Sequence, residues 1–258
     1  MNSHVLFEKK DDTRGFPLVD YDTGTSDRNL YILFAITIIS SLLIIYFSNI
    51  SNIILNIVLS DLLPLVIVVI SFNLLTNSTI KSFFRKIKLR DFGFGLLMLA
   101  LGTLYSSVAT SFLKVINYPV IKDSASTYIS SAPKDLIWPR FANYAIGDLL
   151  ETFTEEFLAI FALLILASLL KRHTKLSRGK YLTIAWIFSM FVFGSMHFSA
   201  YNYHFIEMYL VIGFSRFFDT GIFLRTKNVF ITFFVHYVFD TLGFLATALA
   251  ASGIIHLH

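Results

Sequence analysis

Gly147-Asp148-Leu149-Leu150-Glu151-Thr152-Phe153-Thr154-Glu155-Glu156-Phe157 runs without a break into the apolar stretch Leu158–Leu170. Four carboxylic acids therefore lie within nine residues of one long hydrophobic segment. An Asp at the centre of a membrane helix costs roughly 2.5–3.5 kcal/mol on insertion scales, so four lipid-facing acids approach ~10 kcal/mol. The helix must turn most of them inward, toward partners or a water-filled cavity. At 100° per residue Asp148, Glu151 and Glu155 share one stripe, and Glu156 points about a quarter-turn away. Acids inside a membrane span are functional candidates, and the plainer alternative is a polar seam between helices.

The rest of the chain agrees with a membrane setting. Of its 258 residues 55% are hydrophobic and only 15% charged, whereas a soluble domain carries about 25% charged residues. The expected fold is all-α, a polytopic bundle of about seven helices (six to eight). Seven segments approach the ~20 residues that span a bilayer: 30–50, 52–75, 92–113, 141–170, 181–201, 204–224 and 230–251. Asp61 and Pro64 threaten to split the second or make it re-entrant. Residues 1–29 read as a polar, soluble tail without a signal peptide's apolar core. The remaining regions are the N-terminal helices 30–113, a loop 114–140 and a core 141–251.

Sixteen Lys and Arg fall in the tail and in the loops after segments two, four and six, against Lys114, Lys122, Lys134 and Arg140 in the opposite loops. The positive-inside rule then puts the N-terminus in the cytoplasm. Basic residues confined to short loops indicate topology signals and no nucleic-acid surface. Trp138 and Trp186 read as interfacial anchors. With no cysteine, disulfides, thiolate metal sites and cysteine nucleophiles are excluded.

Two more segments carry polar signals. Phe193-Gly194-Ser195-Met196-His197 sets a histidine in an apolar, aromatic surround. His236-Tyr237-Val238-Phe239-Asp240 puts His and Asp on one helix face. Together with Glu155-Glu156 these supply what peptide hydrolysis needs: a buried carboxylate to take a proton from water, and imidazoles to hold that water, stabilise an oxyanion or bind a metal. No cofactor is required by the pattern, but a divalent ion such as zinc on Glu155, His197, His236 and Asp240 is an open alternative. No His-Glu-x-x-His or Gly-x-Ser-x-Gly motif occurs.

In order and spacing these motifs resemble the CPBP family, the CAAX-protease and bacteriocin-processing (Abi) membrane proteins, whose hallmarks are Glu-Glu-x-x-x-Arg, Phe-x-x-x-His and His-x-x-x-Asn/Asp. The match covers about residues 140–245 and includes the run Leu224–Val229 before the last motif. The resemblance implies a bacterial intramembrane endopeptidase acting on a peptide or membrane-protein substrate. It implies Glu155 as the base, His197 as its partner, His236 and Asp240 as transition-state stabilisers, and Glu156 in support. One position departs from the pattern: the family arginine falls on Ile160. Arg216, deep in segment six, is expected to replace it by pairing with Glu156 or Glu151. The competing reading is a non-catalytic immunity or regulatory protein that binds a bacteriocin or a sensor partner. A proton-coupled transporter using the Asp148/Glu151/Glu155 stripe lacks inverted repeats.

Overall fold

A computed structural model describes residues 4–255 except 11, 13, 22, 23, 48, 49, 51 and 122, so Lys122 of the sequence count lies outside the described residues. Among these residues the architecture is all-helical, with one isolated bridge between Phe84 and Asn228. We number the helices α1 (Asp27–Phe47), α2 (Ile54–Leu75), α3 (Leu89–Val115), α4 (Ser124–Ser130), α5 (Ile137–His173), α6 (Arg178–Met196), α7 (Phe214–Thr226) and α8 (Val229–Ala251). Six of them, all but α4 and α7, are long and apolar enough to cross a membrane. The protein is therefore a polytopic membrane bundle.

The acid-bearing segment is α5, and it is the central post. Its apolar window is 83% buried, against 22% for α2 and α3. Those outer helices turn Leu74, Leu104 and Val108 outward, as lipid-facing surfaces do. Lys171, Arg172 and His173 close α5 in its last turn, where cations favour the negative end of the helix dipole. In α2 the strain of Pro64 is absorbed by a π-helical turn, Ile57–Leu62. Proline has no N–H to give, and a widened turn shifts the neighbouring bonds to i−5, as in Leu63 N–H to the Val58 carbonyl. The helix continues, so it is neither split nor re-entrant.

Segment six differs from its sequence reading. It is helical, as a turn Phe205–Glu207, a π turn Met208–Gly213 and then α7. It carries too many charges for a lipid-exposed span and packs between α3, α6 and α8. Close approach is set by Gly194 and Gly213: a Cβ on Gly213 would lie 3.0 Å from the Met190 carbonyl.

The tail assignment is corrected more strongly. The described residues of 4–26 form a folded cap over one end of the bundle. Val5, Phe16, Leu18 and Val19 are buried, and Phe7 meets Phe94, Trp186 and Phe217 at ring-centroid distances of 5.9, 6.1 and 5.6 Å. Trp186 is thus a core residue stacked on Phe217 at 4.5 Å rather than an interfacial anchor. Arg178 binds Glu8 (2.6 and 2.9 Å) and Asp20 (2.9 and 2.7 Å). Ser168 and Lys171 donate to the carbonyls of Leu18 and Val19. Lys9 reaches Asp91 at 3.1 Å. The cap thereby gathers the basic loops at one end, as their charge predicted.

The cap also buries the α7–α8 turn. Lys227 sits in the left-handed region at φ 52, which is unfavourable for a residue with a Cβ. It is held there by Nζ contacts to Glu8 (3.2 Å), Asp12 (3.4 Å) and the Arg14 carbonyl (2.5 Å). Asn228 then caps α8, its Oδ1 accepting from Phe230 N–H and Ile231 N–H, which satisfies two orphan donors. α8 therefore starts beneath the cap instead of at the bundle's surface. This recess brings His236, only seven residues into α8, level with Glu156 near the middle of α5.

Candidate active site

The two adjacent glutamates have separate environments. Glu156 is fully buried and grips Arg216 with both oxygens, one bond being 2.6 Å and the other shorter. Its Oε1 also faces His236 Nδ1 at 2.9 Å. His236 Nε2 lies 3.1 Å from Asp240 Oδ2, one turn further along α8. Arg216, Glu156, His236 and Asp240 so form one buried chain linking α7, α5 and α8. Arg216 meets Glu156, one of its two expected partners, and Glu151 is left out of the pairing. Ile160 packs in the apolar core with Phe157 and Phe161, and the cation arrives from a neighbouring helix instead.

Glu155 faces the other way. Its Oε1 is 3.6 Å from His197 Nε2, beyond a direct hydrogen bond and suited to sharing one water. His197 Nδ1 lies 3.0 Å from the Phe193 carbonyl. A carbonyl only accepts, so Nδ1 carries the proton, and in the neutral ring Nε2 presents its lone pair toward Glu155. Sequence places His197 inside a span, but α6 ends at Met196 and His197 is its C-cap, at the edge of open space. Phe193 joins the two halves of the site. The Arg216 guanidinium stands 4.7 Å over its ring, and the His197 and His236 rings lie 4.7 and 5.5 Å away.

Two lobes of a cavity, about 330 and 460 Å³, meet on Glu155 and His197. Asp148, Glu151 and Tyr144 line both lobes. Asp240 lines the larger, and Asp61 the smaller. Of the four residues expected to converge, Glu155, His197 and Asp240 share the larger lobe. His236 lines neither and stands behind, between Glu156 and Asp240. Both its ring nitrogens face carboxylates, which leaves no free nitrogen for a metal ion. Among the described residues, no three His, Asp or Glu side chains are grouped to hold one.

The loop expected over 114–140 contains α4, which covers the cavity with Ser124. The loop is fastened where Ile121 N–H donates to Glu207. Asp61 and Asp123 also line the site; the sequence reading took Asp61 only as a break in segment two and left Asp123 aside. Asp61 is an acid inside a span, a signal by itself, and its carbonyl accepts from Thr154 Oγ1 on α5 at 3.1 Å. Ser195 is turned away to the Phe191 carbonyl and Tyr209. No family model matches this chain, and no curated protein or solved structure is found similar to it.

Proposed function

We propose that this protein is an intramembrane endopeptidase that cuts a peptide or membrane-associated pro-peptide with water activated by Glu155. The reading rests on one observation, the Glu155–His197 pair 3.6 Å apart where the two lobes meet. Water held between Glu155 Oε1 and His197 Nε2 gives a proton to Glu155 as its oxygen bonds to the scissile carbonyl carbon. The protonated Glu155 then delivers that proton to the amide nitrogen, the C–N bond breaks, and a carboxyl and an amine leave. Glu156 is the wrong glutamate for this task, because Arg216 and His236 occupy its oxygens. It acts in positioning: the chain from Arg216 to Asp240 locks α5, α7 and α8 so that Glu155 and His197 face each other.

His236 has no ring nitrogen to offer, so the four donors do not fit a metal in this arrangement, and no step is routed through one. Asp240 as a bare carboxylate repels an oxyanion, which makes it the terminus of the positioning chain. The setting that goes with this reading is a bacterial cell membrane with the capped, basic end in the cytoplasm.

Glu155→Gln keeps the side chain's shape and removes its basicity. Peptide processing in membranes should fall by ~10²–10⁴-fold while the protein inserts and folds normally, and His197→Ala should behave alike. Full processing by well-expressed Glu155→Gln overturns the mechanism. The competing reading, a non-catalytic immunity or regulatory protein, draws on Ile160 standing where the motif has arginine. It predicts partner binding and phenotype in both variants, with no processing even by the unaltered protein.

A further inference from the structure

The cavity beside Glu155 has an electrostatic peculiarity that hydrolysis by itself does not require. Asp148, Glu151 and Glu155 line both lobes, Asp61 adds to one and Asp123 and Asp240 to the other. Among the described residues no Lys or Arg lines either lobe. Some of these acids have partners: Glu155 has His197, Asp240 has His236, and Asp61 accepts from Ser60 at 2.8 Å. Neither Asp148 nor Glu151 has an ion-pair partner among the described residues, and Thr152, one turn along α5, offers Asp148 only a neutral hydroxyl. Asp148 is only 6% exposed, and its Oδ2 is buried without a hydrogen-bond partner among the described residues. Glu151 opens into the cavity with neither a hydrogen bond nor an ion pair among the described residues. A buried, unpaired carboxylate oxygen is costly to keep. Such a group calls for a partner beyond the described residues, an ordered water or a ligand.

We propose that Asp148 and Glu151 form a subsite for a positively charged side chain, lysine or arginine, of the peptide substrate; this rests on the endopeptidase reading. A cationic ligand brings both charge and donors, and the carboxylates that it keeps ionised only accept. Aromatic faces favour the same choice: Tyr144 lines both lobes, and Tyr128 lines the smaller. At the rim, Arg140 already stacks 4.1 Å over the Tyr128 ring, a local instance of cation–π attraction. Helix geometry fixes the position along the peptide. Glu151 and Asp148 lie about 6 and 10 Å along α5 from Glu155 at 1.5 Å per residue. An extended peptide advances ~3.3 Å per residue, so the basic residue falls within about three residues of the cut bond.

The test uses the full-length protein in lipid nanodiscs and fluorogenic peptides that differ only in carrying Lys, Arg, Gln or Glu at positions flanking the cleavable bond. Binding is measured on Glu155→Gln, and kcat/KM on the unaltered protein. Lys and Arg peptides should bind at least about tenfold more tightly than the Gln peptide, the ratio that one charge-assisted hydrogen bond supplies. Glu should bind worst. Asp148→Asn, alone or in the Glu155→Gln background, should erase the preference, bringing the Lys, Arg and Gln peptides to within about twofold of one another. Equal affinity for Lys and Gln peptides overturns the proposal, whether or not either is cut. So does a preference that survives both Asp148→Asn and Glu151→Gln. A free inorganic cation as the occupant also overturns it: sodium, potassium or calcium would then raise the unfolding temperature in an Asp148-dependent way and displace no neutral peptide. Binding preference without any cleavage supports the subsite and defeats the protease reading, whereas cleavage without preference does the reverse.

Discussion

The two ends of this bundle treat charge in opposite ways. At the capped end Glu8, Asp12, Asp20 and Asp91 each meet a cation, and even a fully buried Lys227 is surrounded by acceptors. At the cavity end Asp148 and Glu151 have no such partner, and the described lining offers no Lys or Arg to supply one. The same contrast recurs between neighbours on α5, with Glu156 locked by Arg216 and Glu155 facing open space. Paired charge here fixes helices in place, and unpaired charge lines the cavity where chemistry and recognition are proposed.

The largest effect should come from the locked pair. Glu156→Gln or Arg216→Met leaves a buried ion without its partner and should cost about 3–5 kcal/mol, read as a drop in thermal unfolding temperature in detergent. The double change to apolar residues should recover most of that loss. Glu155→Gln should cost nothing comparable, since a neutral amide is cheaper to bury than a carboxylate. Equal destabilisation by the two neighbouring glutamine variants would break the comparison.

Next is the cap. Glu8→Gln weakens charge-assisted bonds to Arg178 and Lys227 and should cost about 1.5–3 kcal/mol, with faster protease nicking of the N-terminal segment as the readout. Asp148→Asn, at the other end, should leave stability unchanged or raised. A loss from Asp148→Asn equal to that from Glu8→Gln would remove the distinction between the ends.

Acid should undo the same end first. Burial raises the Glu8 carboxyl, but the Arg178 and Lys227 contacts outweigh it and hold it below its ordinary 4.5. Asp20 is likewise held below 3.8, burial being outweighed by Arg178 and the Phe16 N–H. Groups lowered on folding contribute stability that is full above the ordinary carboxylate range and fades as pH falls through and below it. Protease sensitivity of residues 4–26 should therefore stay low at neutral pH and rise below about pH 4, before the bundle unfolds.

The smallest effect sharpens the packing side of the comparison. A Cβ on Gly221 would lie 2.7 Å from the Phe7 ring. Gly221→Ala should loosen the cap by about 1–3 kcal/mol through overpacking, and added bulk at Gly243, with open space around it, should not.

Much of this was legible in sequence because membranes impose strong local rules. Apolar length located six spans within a few residues, and the basic loops did collect at one end. The acid stripe on α5 follows from helical periodicity, and an arginine deep in an expected span announced a buried partner. Local rules say nothing, however, about which distant residue meets which. That is why 1–29 read as a tail: its charges look solvated until Arg178 and Lys227, over 150 residues away, are brought against them. Nor does anything local reveal that the first turn of α8 is buried beneath a cap, which is what sets the depth of His236.

The sequence by itself determined a membrane-embedded helical bundle with an acid-bearing central helix, since the cost of exposing polar groups to lipid depends on residue type and helical period alone. Only the tertiary structure decided that Glu156 is locked by Arg216 and that Glu155 is turned to the cavity beside His197. The two differ by one position and 100° of rotation, and their fates depend on Arg216, His197 and His236 arriving from three other helices.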